Sequence, residues 1–210
     1  MSGPTYGHGH INMDSSIFRW INRLAQRTGW AHPFFTNYAT YGIVLFAVLL
    51  LVAYLNARQD DNPHAVAGSV WAGGAALVAL EIGQLLGGAL DRARPYDAMT
   101  GIHVLVTTTT DFSFPSDHAT AAGAVAVGLL LSHRRCGTIA AALAVLMAFT
   151  RVYVGAHYLS DVLAGLVLGG GVAAASVVLI VPSLTRLVRR LSRTPFGVLI
   201  SSTGTPASKA

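Results

Sequence analysis

Five stretches of this 210-residue chain are long and apolar enough to cross a lipid bilayer, and that pattern narrows its fold more than any other feature. A hydrocarbon core about 30 Å thick needs about 20 helical residues per crossing. Spans of roughly 35–57, 65–90, 117–133, 137–155 and 159–181 answer to that. The third is the shortest, although Ala119 to Ser132 carries no charge. In lipid the backbone polar groups must be satisfied inside the segment, so stretches like these fold as helices. The expected fold is all-α: an integral membrane helical bundle with about five transmembrane helices. Composition agrees, because 53% hydrophobic and 11% charged residues are far from the balance of a soluble domain.

Ahead of the first span, Ile17, Phe18, Ile21, Leu24 and Ala25 recur at helical spacing, with Arg19, Asn22, Arg23, Gln26 and Arg27 on the other face. Too short and too charged to span, this segment is expected to lie in the interface plane, capped by Asp14 or Ser15 and followed by Trp30 at headgroup depth. The chain then divides into a disordered tail at 1–13, a membrane-embedded domain at 14–182 and a basic tail at 183–210. His8 and His10 fall in the first of these and read as tail, not as a metal tract. Cys136 is the only cysteine, which excludes an internal disulfide and a Cys-based zinc site.

Thirteen arginines and one lysine, Lys209, stand against nine acids, for a net charge of +5. The arginines gather at the ends of apolar stretches, a distribution suited to headgroups and not to nucleic acid. With five spans, Arg58, Arg134, Arg135, Arg186, Arg189, Arg190 and Arg193 share one side. By the positive-inside tendency that side, with the C-terminus, is cytoplasmic in a bacterial inner membrane. The loop from Asp91 to Phe114 and the turn at His157 face outward, with Arg19, Arg23 and Arg27 in partial opposition.

Three polar stretches share the outward side: Asp91 to Pro95, Pro115 to His118, and Arg151 to Asp161. His157 and Asp161 are four residues apart, so on a helix they share a face. The carboxylate can then accept from one ring nitrogen and leave the other free as a nucleophile. A structural pair would have the same spacing. Ser116 stands where a helix would begin and can cap it, turning backbone N–H groups towards an anion. His118, in the first turn, is placed to give a proton to a leaving oxygen, or else is an interfacial residue. Arg94 and Arg151 offer planar forks matched to phosphoryl oxygens. Glu81 and Gln84, one turn apart in the second span, are expected to bond a neighbouring helix or to support Arg92 or Arg94 from below. Tyr96, Tyr153 and Tyr158 are expected in the interfacial belt.

Arg94-Pro95, the Pro-Ser-x-His at 115–118 and the Arg-x5-His-x3-Asp at 151–161 resemble the three ordered motifs of the type 2 phosphatidic acid phosphatase superfamily. The resemblance implies that His157 forms a phosphohistidine, Asp161 orients it and His118 protonates the leaving group. It implies that Arg94, Ser116 and Arg151 bind phosphate, with no metal and no other cofactor. Three positions depart from the pattern. Gly87 stands where the family often has a lysine, and Arg92 is the candidate substitute contact. Asp117 replaces the usual glycine, beside the phosphate site, and is expected to point away or pair with Arg92. Thr150 replaces a serine. The Pro-Ser-Asp-His form, with the helix before the first span, is similar to bacterial polyprenyl-diphosphate phosphatases.

The leading expectation is hydrolysis of undecaprenyl or decaprenyl diphosphate, which recycles the lipid carrier of wall synthesis. A phosphatase of phosphatidic acid, phosphatidylglycerol phosphate or another lipid monophosphate shares the chemistry. A non-catalytic protein that binds or transports lipid phosphate is the reading from another class, kept open by the missing lysine.

Overall fold

The structure is a computed structural model that describes residues 13–194 and Gly197. His8, His10 and Lys209 lie outside the described residues. Among the described residues there are eight α-helices and no strand. In chain order they are α1 (Met13–Arg27), α2 (His32–Tyr41), α3 (Ile43–Gln59), α4 (Pro63–Leu90), α5 (Pro95–Ala98), α6 (Asp117–Ser132), α7 (Arg134–Tyr153) and α8 (Leu159–Leu191), with a single 3₁₀ turn at Gly29–Ala31.

The stretches expected to span map onto α2 with α3, α4, α6, α7 and α8. By length and composition α7, α8 and the stretch Pro63–Ala98 are able to cross a membrane. The first expected span is not one straight helix. It breaks between α2 and α3, which are bent by 57° and reach the standard of a span only as a pair. The break falls at Gly42, where a Cβ would lie 2.8 Å from Met147 Cε, so close contact with α7 is made at the bend. α6 is apolar but has only 16 residues, about 24 Å of helix. α8 continues through Pro182 to Leu191, so the boundary expected at 182 falls inside a helix and Arg186, Arg189 and Arg190 ride on its last turns.

α6 is the centre of the bundle and packs against α4, α7 and α8. Its buried residues are mostly Ala and Gly, which lets backbones approach where lipid supplies no hydrophobic drive between helices. At the α6–α8 crossing a Cβ on Gly169 would sit 1.9 Å from Thr120 O. Ser116 N–H also donates to Asp161 O (3.1 Å), which sets the start of α6 beside the first turn of α8, and both carry site residues.

α1 lies across the same end. Phe18, Ile21 and Ala25 are buried, while Trp20 and Trp30 are exposed. Asn22 departs from its expected place on the polar face: it is buried, donates to His103 O (2.7 Å) and accepts from His103 N–H (2.9 Å). α1 thereby pins the loop between α5 and α6. Tyr153 and Tyr158 are buried too, not set in an interfacial belt; Tyr153 Oη lies 2.6 Å from Thr28 Oγ1 and Tyr158 packs on Phe18.

Candidate active site

The turn that carries His157 follows from Gly155. Its φ of +83° is open to glycine, and a Cβ there would meet His103 O at 2.7 Å. The chain turns off the end of α7, Ala156 and His157 donate their N–H groups to Arg151 O, and α8 begins two residues later. Opposite, the loop from Met99 to Ser116 is fastened by Leu105 N–H to Val154 O (3.0 Å), Ser113 N–H to Arg92 O (2.9 Å) and Ser116 N–H to Asp161 O (3.1 Å).

His157 is 2% exposed. Its Nδ1 lies 2.7 Å from the carbonyl oxygen of Ser113, which can only accept, so Nδ1 carries the proton and Nε2 the lone pair. Nε2 faces two guanidiniums, Arg94 Nη1 at 3.1 Å and Arg151 Nη2 at 3.4 Å. Burial, and then the charges of Arg151 and Arg94, hold the imidazole well below its usual pKa, so His157 is neutral around pH 7.

Asp161 does not receive the ring proton directly, as its spacing had led us to expect. Its Oδ2 is 3.9 Å from Nδ1 and accepts instead from Ser113 Oγ–H (2.6 Å) and Tyr158 N–H (2.9 Å). The reason is local: His157 precedes the helix, so the shared-face rule for i and i+4 does not apply, and Asp161 sits in the first turn of α8, where free N–H groups want an acceptor. Ser113 therefore stands between the two, its carbonyl on His157 and its hydroxyl on Asp161.

Arg94 is buried and fixed on three sides. Nε and Nη2 donate to Asp111 Oδ1 (3.1 and 2.9 Å) and Nη1 donates to Ala156 O (3.1 Å). Burial opposes the charge on Asp111, but the Thr109 hydroxyl and then Arg94 outweigh it and hold the carboxyl below its usual range. Arg151 Nη1 reaches Ala39 O at 3.4 Å, while its Nε is buried without a hydrogen-bond partner. Ser116 occupies the N-cap position of α6 yet makes no side-chain cap; its hydroxyl is likewise buried and unpartnered. Arg94, His118, Arg151 and Ala156 line one cavity of about 260 Å³, together with Tyr96, Thr109 and residues of α2.

Arg92, the expected substitute phosphate contact, lies elsewhere, and Asp117, beside the phosphate site in sequence, points away from it. Arg92 Nη1 donates to Asp161 Oδ1 (2.5 Å) and Ser160 Oγ (2.7 Å), its Nη2 to Asp14 Oδ2 (2.7 Å), and its guanidinium stacks 4.1 Å from the Tyr158 ring. Three polar partners and a ring hold it away from the cavity, so it does not replace the missing lysine. Asp117 accepts from Gln84 Nε2 (2.9 Å) on α4, not from Arg92, and turns to a separate small pocket with Phe112 and Phe114. Gln84 thus bonds a neighbouring helix and does not support Arg92 or Arg94.

At Gly87 a Cβ would lie 2.9 Å from Phe114 O and 3.0 Å from Phe112 Cδ2. The space of a lysine is taken by the loop. Gly87→Lys is expected to lower activity and stability together, the latter by about 1–3 kcal/mol from overpacking. Phosphate release and a thermal melt in detergent check this; a gain in activity without loss of stability would contradict it.

Sequence reasoning missed Ser113 and Asp111. Neither belongs to a motif; the one available signal was a polar Thr-rich run, 107–111, between apolar segments. Among the described residues no three His, Cys, Asp or Glu side chains gather to hold a metal ion. Chemically, the arrangement offers a neutral imidazole nitrogen and, beside it, two forked cations that line a cavity with a second histidine, the parts a phosphoryl transfer needs.

Comparison with known proteins points the same way. The PAP2 superfamily model matches residues 68–184, more than half of the chain. The undecaprenyl-diphosphatase BcrC of Bacillus subtilis is 32% identical over 155 residues, covering 74% of this chain and 78% of that protein. An undecaprenyl-diphosphatase of Sulfolobus acidocaldarius is 34% identical over 174 residues, 81% of this chain and 80% of that one. In fold, the chain is similar to the crystal structure of a transmembrane PAP2-type phosphatidylglycerolphosphate phosphatase from Bacillus subtilis, with a TM-score of 0.58 at 21% identity over 86% of this chain and 90% of that one.

Proposed function

The chain belongs to the PAP2 superfamily and is a multi-pass membrane hydrolase of lipid phosphates, and from that premise we propose that it converts a polyprenyl diphosphate to the monophosphate through a phosphohistidine on His157. The observation that carries the mechanism is the lone pair of His157 Nε2, 3.1 Å from one guanidinium and 3.4 Å from another, both belonging to arginines that line one cavity with His118. Undecaprenyl or decaprenyl diphosphate is the favoured substrate, in keeping with the names of relatives aligned over about three quarters of the chain.

Arg94 and Arg151 take the oxygens of the terminal phosphoryl group, and the two orphan donors, Ser116 Oγ and Arg151 Nε, gain acceptors. Nε2 attacks phosphorus, the P–O bond to the prenyl monophosphate breaks, and His118, protonated once the bound phosphate offsets the charges of Arg94 and Arg151, supplies the proton that the leaving oxygen takes. A water then gives its proton back to His118 and attacks phosphorus, and cleavage of the P–N bond frees inorganic phosphate and His157. Ser113 and Asp161 hold the Nδ1 proton in place throughout. The site faces outward from a bacterial inner membrane, with Arg134, Arg135 and the end of α8 on the cytoplasmic side, so that the carrier lipid of wall synthesis is returned to use.

The test is phosphate release in detergent with EDTA present, from undecaprenyl diphosphate and from phosphatidic acid. Preferred release from the diphosphate supports the reading; preferred release from phosphatidic acid moves the function to phospholipid metabolism; release from neither favours a lipid-phosphate binding or transport protein. A pH profile adds a second check. His157 attacks only as the neutral base, and burial with the charges of Arg151 and Arg94 holds its pKa well below the 6.5 of an ordinary imidazole. Falling pH therefore protonates it only after passing well below that value. The acid limb assigned to His157 in kcat/KM is expected well below pH 6.5, and a limb at or above 6.5 would contradict the assignment.

A further inference from the structure

Arg92 touches neither the cavity nor His157, yet it joins the N-terminal helix to Asp161. Asp14, in the first turn of α1, accepts from Ser160 N–H (3.0 Å) and Ser160 Oγ–H (2.5 Å) as well as from Arg92 Nη2 (2.7 Å). The other side of the same guanidinium holds Asp161 and Ser160 Oγ. Ser160 and Asp161 are in the first turn of α8, and Asp161 is fully buried. A buried carboxylate is costly without a cationic partner, and Arg92 is the partner here. The chain of contacts then runs from Asp161 Oδ2 to Ser113 Oγ, and from Ser113 O to His157 Nδ1.

Asp14 is not dispensable to this pair. Burial opposes its charge, but the hydrogen bond from Ser160 and then Arg92 keep its carboxyl below the usual range, so it is a firm anion near pH 7. It takes one edge of Arg92 and leaves the other for Asp161. Without it, Arg92 loses one of its two carboxylates, and the Ser160 N–H at the start of α8 loses its acceptor. Small displacements matter at this remove, because groups that orient a reacting side chain commonly change rates by about 10–100-fold when removed.

We propose that Asp14, carried on the N-terminal helix, is a positioning residue for the phosphoryl transfer: through Arg92 and Ser160 it sets Asp161, and through Asp161 and Ser113 the ring of His157. The proposal rests on the reading of His157 as the nucleophile. It ties the reaction to an element outside all three motifs, one whose exposed Trp20 and neighbouring Trp30 place it at the edge of the bundle.

The experiment is single-turnover cleavage of radiolabelled farnesyl diphosphate by excess full-length protein in detergent, with rate constant and amplitude read separately. With active protein still in saturating excess over substrate, a fall in folded fraction leaves the rate constant unchanged, whereas misplacement of His157 lowers it. Asp14→Asn is expected to lower the rate constant about 10–100-fold, and Arg92→Gln by at least as much. The double variant is expected to be no slower than Arg92→Gln alone, because the two act in series. Should Asp14→Asn not fold, Ser160→Ala tests the same link, with an expected fall of about fivefold. Unchanged rate constants in an active protein, or losses that multiply in the double variant, overturn the proposal. A wild-type protein that releases no phosphate overturns the reading beneath it, and the proposal with it.

Discussion

Alanine in place of His157 is expected to reduce phosphate release by on the order of 10⁴-fold or more, the scale on which losing a covalent nucleophile is felt. His118 lines the same cavity but is not held this way: His157 Nε2 is the acceptor placed between Arg94 and Arg151, and the Ser113 carbonyl fixes its tautomer. The direct check is trapping. Wild-type protein quenched in alkali during turnover of a terminally labelled diphosphate should carry label that acid removes, as a phosphoramidate does, and His157→Ala should carry none. Label that survives in the variant would place the covalent step on another residue. Asp161→Asn should still trap label, more slowly, since its carboxylate is 3.9 Å from the ring and acts through Ser113.

Lysine in place of Arg94 is expected to cost about 10²–10³-fold in kcat, comparable to removal of a preorganised donor from a site where charge develops. The charge is kept, but the fork is lost. Arg94 uses Nε and Nη2 on Asp111 and Nη1 on Ala156 O and the His157 ring, a rigid pose that one ammonium on a flexible stem cannot copy. Asp111→Asn should weaken the same pose and lower kcat by a smaller factor, with a modest change in KM. A loss under threefold in Arg94→Lys would mean that charge alone suffices at this position.

Much of this was legible in the chain. Helical class, the apolar stretches and the gathering of Arg94, His118, Arg151 and His157 followed from hydropathy and from three short motifs, because both signals are local. What sequence left out is non-local or sits at helix ends. Ser113 reaches His157 across 44 residues and Asp111 reaches Arg94 across 17, from a loop with no periodicity to mark it. Helical spacing put His157 and Asp161 on one face, but the helix starts between them. Arg92 is two residues from Arg94, with the same charge, and only the fold shows that one turns to the cavity and the other to Asp14. Asn22 looked solvated on a helical wheel until the loop with His103 closed over it.

The contact at Gly87 also bears on how such a chain can change over generations. Phe112 and the Phe114 carbonyl occupy the volume that a side chain at position 87 would need. A smaller residue at 112 would remove the ring but leave the Phe114 carbonyl 2.9 Å from any Cβ at position 87, so a larger residue there also requires the backbone of the loop to move.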